Sequence, residues 1–169
     1  ITTAELYILA GHNIFVFDIP YIVARCEFHG IHHGFIENKG WGGRPTVVKN
    51  GLHNGKPIEF TNTAHANFFI IDTYHLRAIQ DKTAACLSSY GLKHAAGPDG
   101  FGLRGERQDI PGDQITHYFI NHPELFFRYL HDDVIDTKLI FDYLFPPFYY
   151  LMKYVPHTTI QNTIFVGNG

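Results

Sequence analysis

The strongest constraint on this chain is the segment from Pro123 to Phe145, which starts after Asn121-His122 and stops against the pair Pro146-Pro147. Proline is tolerated in the first turn of a helix and disrupts its interior, so this punctuation predicts one helix between the two marks. On a helical wheel with ~100° per residue, Phe126, Leu130, Thr137, Ile140, Phe141 and Leu144 fall within about 80° of Asp133. Tyr129 lies close by on the other side, one turn earlier. Glu124, Arg128, His131, Lys138 and Asp142 take the opposite, solvent-facing side. Asp133 thus sits in the middle of an apolar stripe. A carboxylate placed there loses its water and needs a hydrogen-bond partner, a cation or a metal.

The remaining chain reads as alternating short strands and helices. Phe17 to Cys26 predicts a helix, with Asp18 accepting amide hydrogen bonds at its start and Pro20 in its first turn. A turn is expected at Ala10-Gly11-His12-Asn13, and a Gly- and His-rich loop from His29 to Gly43. Pro45 to Lys49 and Pro57 to Phe60 are short strands joined through the hairpin dipeptides Asn50-Gly51 and Asn54-Gly55. Asn67 to Ile71 (NFFII) is a buried strand closed by Asp72. Helical pattern resumes at Tyr74 to Gln80 and from Thr83 to Ala96. Gly97 to Gly112 is expected as a mobile surface loop, with Arg104 and Arg107 free to touch a polyanion. Its Gly100-Phe-Gly102-Leu-Arg-Gly105 is formally a GxGxxG, but no strand precedes it and no helix pattern follows directly. A short aromatic helix, Phe148 to Tyr154, follows the proline pair.

With 45% apolar and 17% charged residues among 169, the chain is one domain's worth and able to build a core. The net charge of −3 does not point to general electrostatic attraction to nucleic acid, so any such ligand needs a local site. Twelve His make the charge depend strongly on pH. Cys26 and Cys86 form no C-x-x-C pair, which suits buried thiols in a reducing, cytoplasmic compartment. The apolar run Leu144 to Met152 is shorter than the ~18 residues of a membrane helix, and no signal peptide is read. A chain opening on Ile1 is expected to be a processed product or a fragment.

Two segments carry candidate chemistry. Asn13-Ile-Phe-Val-Phe17-Asp18 has the form N-x-x-x-F-D, and Tyr129-Leu-His-Asp-Asp133 the form Y-x-x-x-D. Read alone, Asp18 is a helix cap, and Asp133 is equally a buried carboxylate satisfied by a backbone amide or an Arg.

In this order and about 115 residues apart, the two segments resemble the second and third exonuclease motifs of family B DNA polymerases. GHNIFVFDIPYIVAR resembles the helix start of the second motif, and IDTYHLRAI with SYGLKHAA resembles the segment between the motifs. The resemblance covers residues 6 to 156, and 1–156 is read as a partial 3′-5′ exonuclease domain. The tail 157–169 then leads towards an absent polymerase domain.

The resemblance implies a ribonuclease-H-like α/β fold, a mixed sheet flanked by helices, with early strands missing. It implies proofreading hydrolysis at a single-stranded DNA 3′ end with two Mg²⁺ (or Mn²⁺) ions, in a prokaryotic or viral replication context. Two ions about 4 Å apart activate a water and stabilise the leaving oxygen, and they require hard oxygen ligands. By resemblance, Asp133 binds the metal that carries the water, Asp18 supports the second metal and Tyr129 orients the water. Asn13 contacts the terminal nucleotide. Phe17, which the pattern alone places in packing, belongs with Asn13 on the substrate-binding side. Asp72 is expected to end a strand and not to bind metal.

The family's first motif, D-x-E, does not occur in this sequence, so half of the expected metal site is lacking. The polymerase signatures D-x-x-S-L-Y-P and Y-x-D-T-D are absent too. Two other readings stand beside the nuclease. One is a His-rich zinc module using His29, His32 and His33 with His12 or His53. The other is an inactive domain retained to position DNA or as a structural unit.

Overall fold

The computed structural model describes residues 7–37, 47–53, 56–61, 63–65, 67–81 and 87–154. The expected Asn54-Gly55 turn, Cys86 and the tail lie outside these residues, as does much of the helix start expected at Thr83. The described chain is a mixed α/β structure. Strands are β1 (Tyr7–Gly11), β2 (Phe35–Glu37), β3 (Val47–His53), β4 (Lys56–Thr61), β5 (Thr63–His65) and β6 (Phe68–Asp72). Helices are α1 (Asp18–Phe28), α2 (Thr73–Asp81), α3 (Leu92–Ala96), α4 (Ile115–Asn121) and α5 (Pro123–Tyr154).

The strands pair two by two: β1 with β6 in parallel, β2 with β5 and β3 with β4 antiparallel. In the parallel pair Tyr7 faces Phe68 and Gly11 faces Asp72, so both strands end at the same level. β3 runs straight through Asn50-Gly51, which forms an irregularity between Lys49 and Leu52 and not a turn.

β6 separates two cores because successive side chains of a strand point to opposite sides. Ile70 packs with Ile14, Phe15, Ile19 and Phe60. Ile71 packs with Leu76 of α2, Ala95 and Ala96 of α3, and Ile140, Leu144 and Phe145 of α5.

Several expectations are corrected. α1 begins at Asp18, with Phe17 as its cap residue and no side-chain capping bond. The strand β1 includes Ala10 and Gly11, and the reversal comes after them. The loop after α1 contains β2. Of the helix expected over Thr83 to Ala96, Leu92–Ala96 is helical and residues 87–91 are not.

α5 continues through Pro146 and Pro147 to Tyr154 instead of ending there. Each interior proline removes a helix hydrogen bond and costs about 3 kcal/mol or more. Both prolines are exposed, while the buried Leu144 and Phe145 and the flanking Phe148 anchor that stretch to the core. Packing on both sides of the prolines offsets their cost.

Candidate functional site

The carboxyl ends of β1 and β6 organise the site. Asp72, 1% exposed, closes β6 and caps α2. Its Oδ1 accepts the N–H of Tyr74 at 2.9 Å and that of Asn13 at 2.8 Å, and its Oδ2 accepts the N–H of Phe15 at 3.5 Å. One carboxylate therefore holds both the start of α2 and the turn that follows β1. Asp72 ends a strand, as expected. Burial, helped slightly by the negative charge of Asp18, pushes its carboxyl up to about 7 against the three N–H donors.

The turn brings Asn13 into the left-handed region at φ 61°, a conformation that Asn tolerates better than most residues. Gly11 is required beside it, since a Cβ there would meet the Ile14 side chain at 2.7 Å. Ile14 and Phe15 then plunge into the core, while Phe17 is 71% exposed. The expectation that Phe17 packs is corrected: Ile14 and Phe15 turn into the core, while Val16 and Phe17 face outward. Asp18 is exposed at the first turn of α1, and partial desolvation raises its carboxyl above the usual range.

His12 bridges to the neighbouring helix. Its Nδ1 lies 2.9 Å from Thr73 Oγ1, whose hydroxyl donates to the Gly11 carbonyl at 3.1 Å. Burial lowers His12 to about 4, against the opposing pull of the Tyr90 backbone and the Asp133 carboxylate. Asp133 on α5 thus acts on the residue next to Asn13. Asp18 acts on Asp72 from the other side. Among the described residues the two candidate carboxylates share no hydrogen-bond partner.

α5 differs from the wheel reading in one respect. The centre of its buried face is Asp132, Asp136, Ile140 and Leu144, and Asp133 flanks it with its side chain 29% exposed. Leu130, placed in the stripe, is 39% exposed. The reason lies in the segment 97–111, which crosses α5 and supplies two guanidinium groups. Arg104 pairs with the Asp132 carboxylate, donates to its carbonyl at 3.1 Å and meets Asp136 at 3.0 Å. Arg107 pairs with Asp136 and with Asp133 Oδ1, the latter at 2.5 Å. The Gln108 N–H donates to Asp132 Oδ2 at 2.7 Å and holds that carboxyl below its usual range, as does Arg104. The two arginines are therefore engaged and not free for a polyanion, and the segment is anchored, with Ile110 buried as well. Gly100 serves this packing, because a Cβ there would lie 2.1 Å from the His94 carbonyl.

Tyr129 is half-buried between cations, its ring centre 5.2 Å from Lys93 Nζ and 5.9 Å from Arg107 Cζ. Desolvation first, and the Asp133 carboxylate next, raise its hydroxyl, which stays protonated at neutral pH.

Among the described residues no three His, Cys, Asp or Glu side chains come together as a metal site. Asp18 and Asp133 are hard oxygen donors of the right kind for Mg²⁺, but two carboxylates on separate elements are too few for two ions, and one already holds a guanidinium. Of the histidines offered for zinc, His29 bonds Arg25 at 2.9 Å, and His33 Nδ1 accepts the Phe35 N–H at 3.0 Å. Cys26, expected as a buried thiol, is free and half-buried. Sequence reasoning missed Asp72, Asp132 and Asp136 as organisers. The signal was there in part: Asp136 is one turn before Ile140 on the predicted stripe.

Among the described residues no helix is long and apolar enough to cross a membrane. No family model and no curated protein matches this chain.

Proposed function

We propose that this chain is part of a 3′-5′ exonuclease domain of the family B DNA polymerase type, with a ribonuclease-H-like fold, acting on the 3′ end of single-stranded DNA. The observation that carries the reading is the parallel pairing of β1 with β6. In α/β sheets ligands gather at the carboxyl ends of parallel strands; Asn13 is bonded to that end through Asp72, and the charges of Asp18 and Asp133 act on Asp72 and His12 beside it.

In this reading Asp18 and Asp133 would hold Mg²⁺ or Mn²⁺, and the two-ion chemistry requires further hard oxygen ligands beyond these two. Such ions, when bound, would supply an activated water and stabilise the leaving oxygen. The exposed Phe17 ring offers a stacking surface for an unpaired base beside Asn13. Tyr129, kept neutral, offers a hydroxyl that positions a water. A polymerase domain in the same full-length protein, in a cytoplasmic prokaryotic or viral setting, is the partner that the reading implies.

The test is degradation of 3′-labelled single-stranded DNA by the chain extended with the residues encoded upstream. Asp133→Asn should abolish Mg²⁺-dependent loss of 3′ nucleotides, since a neutral amide is a poor ligand for a hard dication. Tyr129→Phe should slow it by a smaller factor, on the order of 10²- to 10⁴-fold, and His131→Ala, on the exposed face, should leave it unchanged. The Arg107–Asp133 pair favours a second reading, an inactive domain that positions DNA. Strand binding without cleavage in the extended protein would select it. Vigorous cleavage insensitive to Asp133→Asn would end the first.

A further inference from the structure

The loop between α1 and β2 encloses a pocket of about 460 Å³, within the range of small-molecule sites, with walls from Glu27, Ile31, His32, His33, Phe35 and Ile36. Gly30 and Gly34 make its bends in the left-handed region, at φ 66° and 71°. Gly34 also has no room for a side chain, since a Cβ would lie 2.5 Å from His65 Nε2. Three rings line the pocket in nearly parallel planes. The centres of His32 and His33 are 6.3 Å apart with an 18° tilt, and those of His33 and Phe35 are 6.0 Å apart with a 24° tilt. The polar groups are defined as well. The Phe35 N–H donates to His33 Nδ1 at 3.0 Å, so the neutral ring carries its hydrogen on Nε2, which has no acceptor among the described residues. The Glu27 carboxylate is exposed and has no donor or cation among them either.

We propose that this pocket binds the amino-bearing base of a free purine nucleoside, of which adenosine is the simplest. The site goes beyond the exonuclease reading and does not depend on it, since it uses neither Asp18 nor Asp133. Aromatic rings in parallel planes offer a stacking platform for a planar heterocycle. Ile31 and Ile36 are both exposed, and a base lying against them removes apolar surface from water. Adenine carries a ring-nitrogen acceptor beside its exocyclic amino donor on either edge. The pocket supplies the complement: the Glu27 carboxylate accepts from the amino group and the His33 Nε2–H donates to the ring nitrogen. No Lys or Arg lines the pocket, and its one charged wall is negative. An uncharged base therefore fits where a phosphate is repelled.

NMR titrations of the whole chain test this. With adenosine, the Phe35 amide and His33 ring signals of the wild type should shift and saturate, while ribose 5-phosphate should leave them in place. Purine riboside, the same ring without the amino group, should bind about tenfold more weakly because the Glu27 carboxylate is left without its donor. Glu27→Ala, on an exposed side chain, should weaken adenosine by about that factor and leave purine riboside unchanged. Unmoved signals with adenosine overturn the proposal without any variant having to fold. So does equal affinity for the two nucleosides, or a Glu27→Ala effect that is nil or the same for both. A shift produced by ribose 5-phosphate, or by oligodeoxyadenylate when adenosine produces none, assigns the pocket to a phosphate or a strand and overturns it too. None of these readings passes through the nuclease assay, so each proposal can fail alone.

Discussion

The carboxylate of Asp72 accepts the backbone N–H of Asn13 at 2.8 Å, tying the end of one strand to the turn that leaves its parallel neighbour. This bond places the whole N-x-x-x-F-D segment, and it depends on a buried acid whose ionisation opposes folding.

The first prediction follows from the raised carboxyl of Asp72, about 7 against an ordinary value near 3.8. The folded state prefers the protonated acid, so the contribution is fully present below the unfolded value and is lost as pH rises through 7. Asp72→Asn keeps an oxygen for the N–H groups of Asn13 and Tyr74 without the charge. Its stability relative to the wild type should improve by about 2 to 3 kcal/mol between pH 5 and pH 8. Urea midpoints at the two pH values check this; a difference that does not change with pH refutes it.

His75 predicts the opposite slope. It is fully buried against Phe60 and Phe15, and burial, with His12 beside it, lowers it to about 3. A depressed imidazole contributes stability that is present above the unfolded value near 6.5 and is lost as pH falls through that value towards 3. Replacing His75 with Phe should therefore flatten acid unfolding between pH 6 and 4 by about one proton's slope. An unchanged slope in thermal melts across that range would count against the buried neutral ring.

The α5 network separates buried from exposed pairs. Asp136→Ala leaves two guanidinium groups without their shared buried partner and should cost about 3 to 5 kcal/mol. Asp142→Ala breaks only the exposed pair with Lys138 and should change stability by at most about 0.5 kcal/mol. Chemical denaturation of the two variants gives the comparison; similar losses would deny the network its role.

Gly11→Ala sets a Cβ against the Ile14 side chain at 2.7 Å and should cost about 1 to 3 kcal/mol while disturbing the Asn13 amide environment. Gly105→Ala, which meets nothing within 4 Å, should be near neutral. Melting temperatures and the Asn13 amide shift decide between them.

Local chemistry determined much of this protein. The apolar strand Asn67 to Ile71 with its closing Asp, and the helical patterns of Phe17 to Cys26, Tyr74 to Gln80 and Pro123 to Phe145, could be read from residues near in sequence and overlap the observed elements. Lys138, Asp142 and His131 face solvent for the same reason. Tertiary structure decided what depends on distant partners. A wheel ranks residues by polarity, so Asp132 and Asp136 look misplaced on a buried face until Arg104 and Arg107 arrive from a separate segment to neutralise them. The same holds for Pro146 and Pro147, where core contacts of Leu144, Phe145 and Phe148 outweigh a local penalty. Asp72 makes the point most directly: its sequence neighbours show a strand end, and only folding brings the Asn13 amide to it.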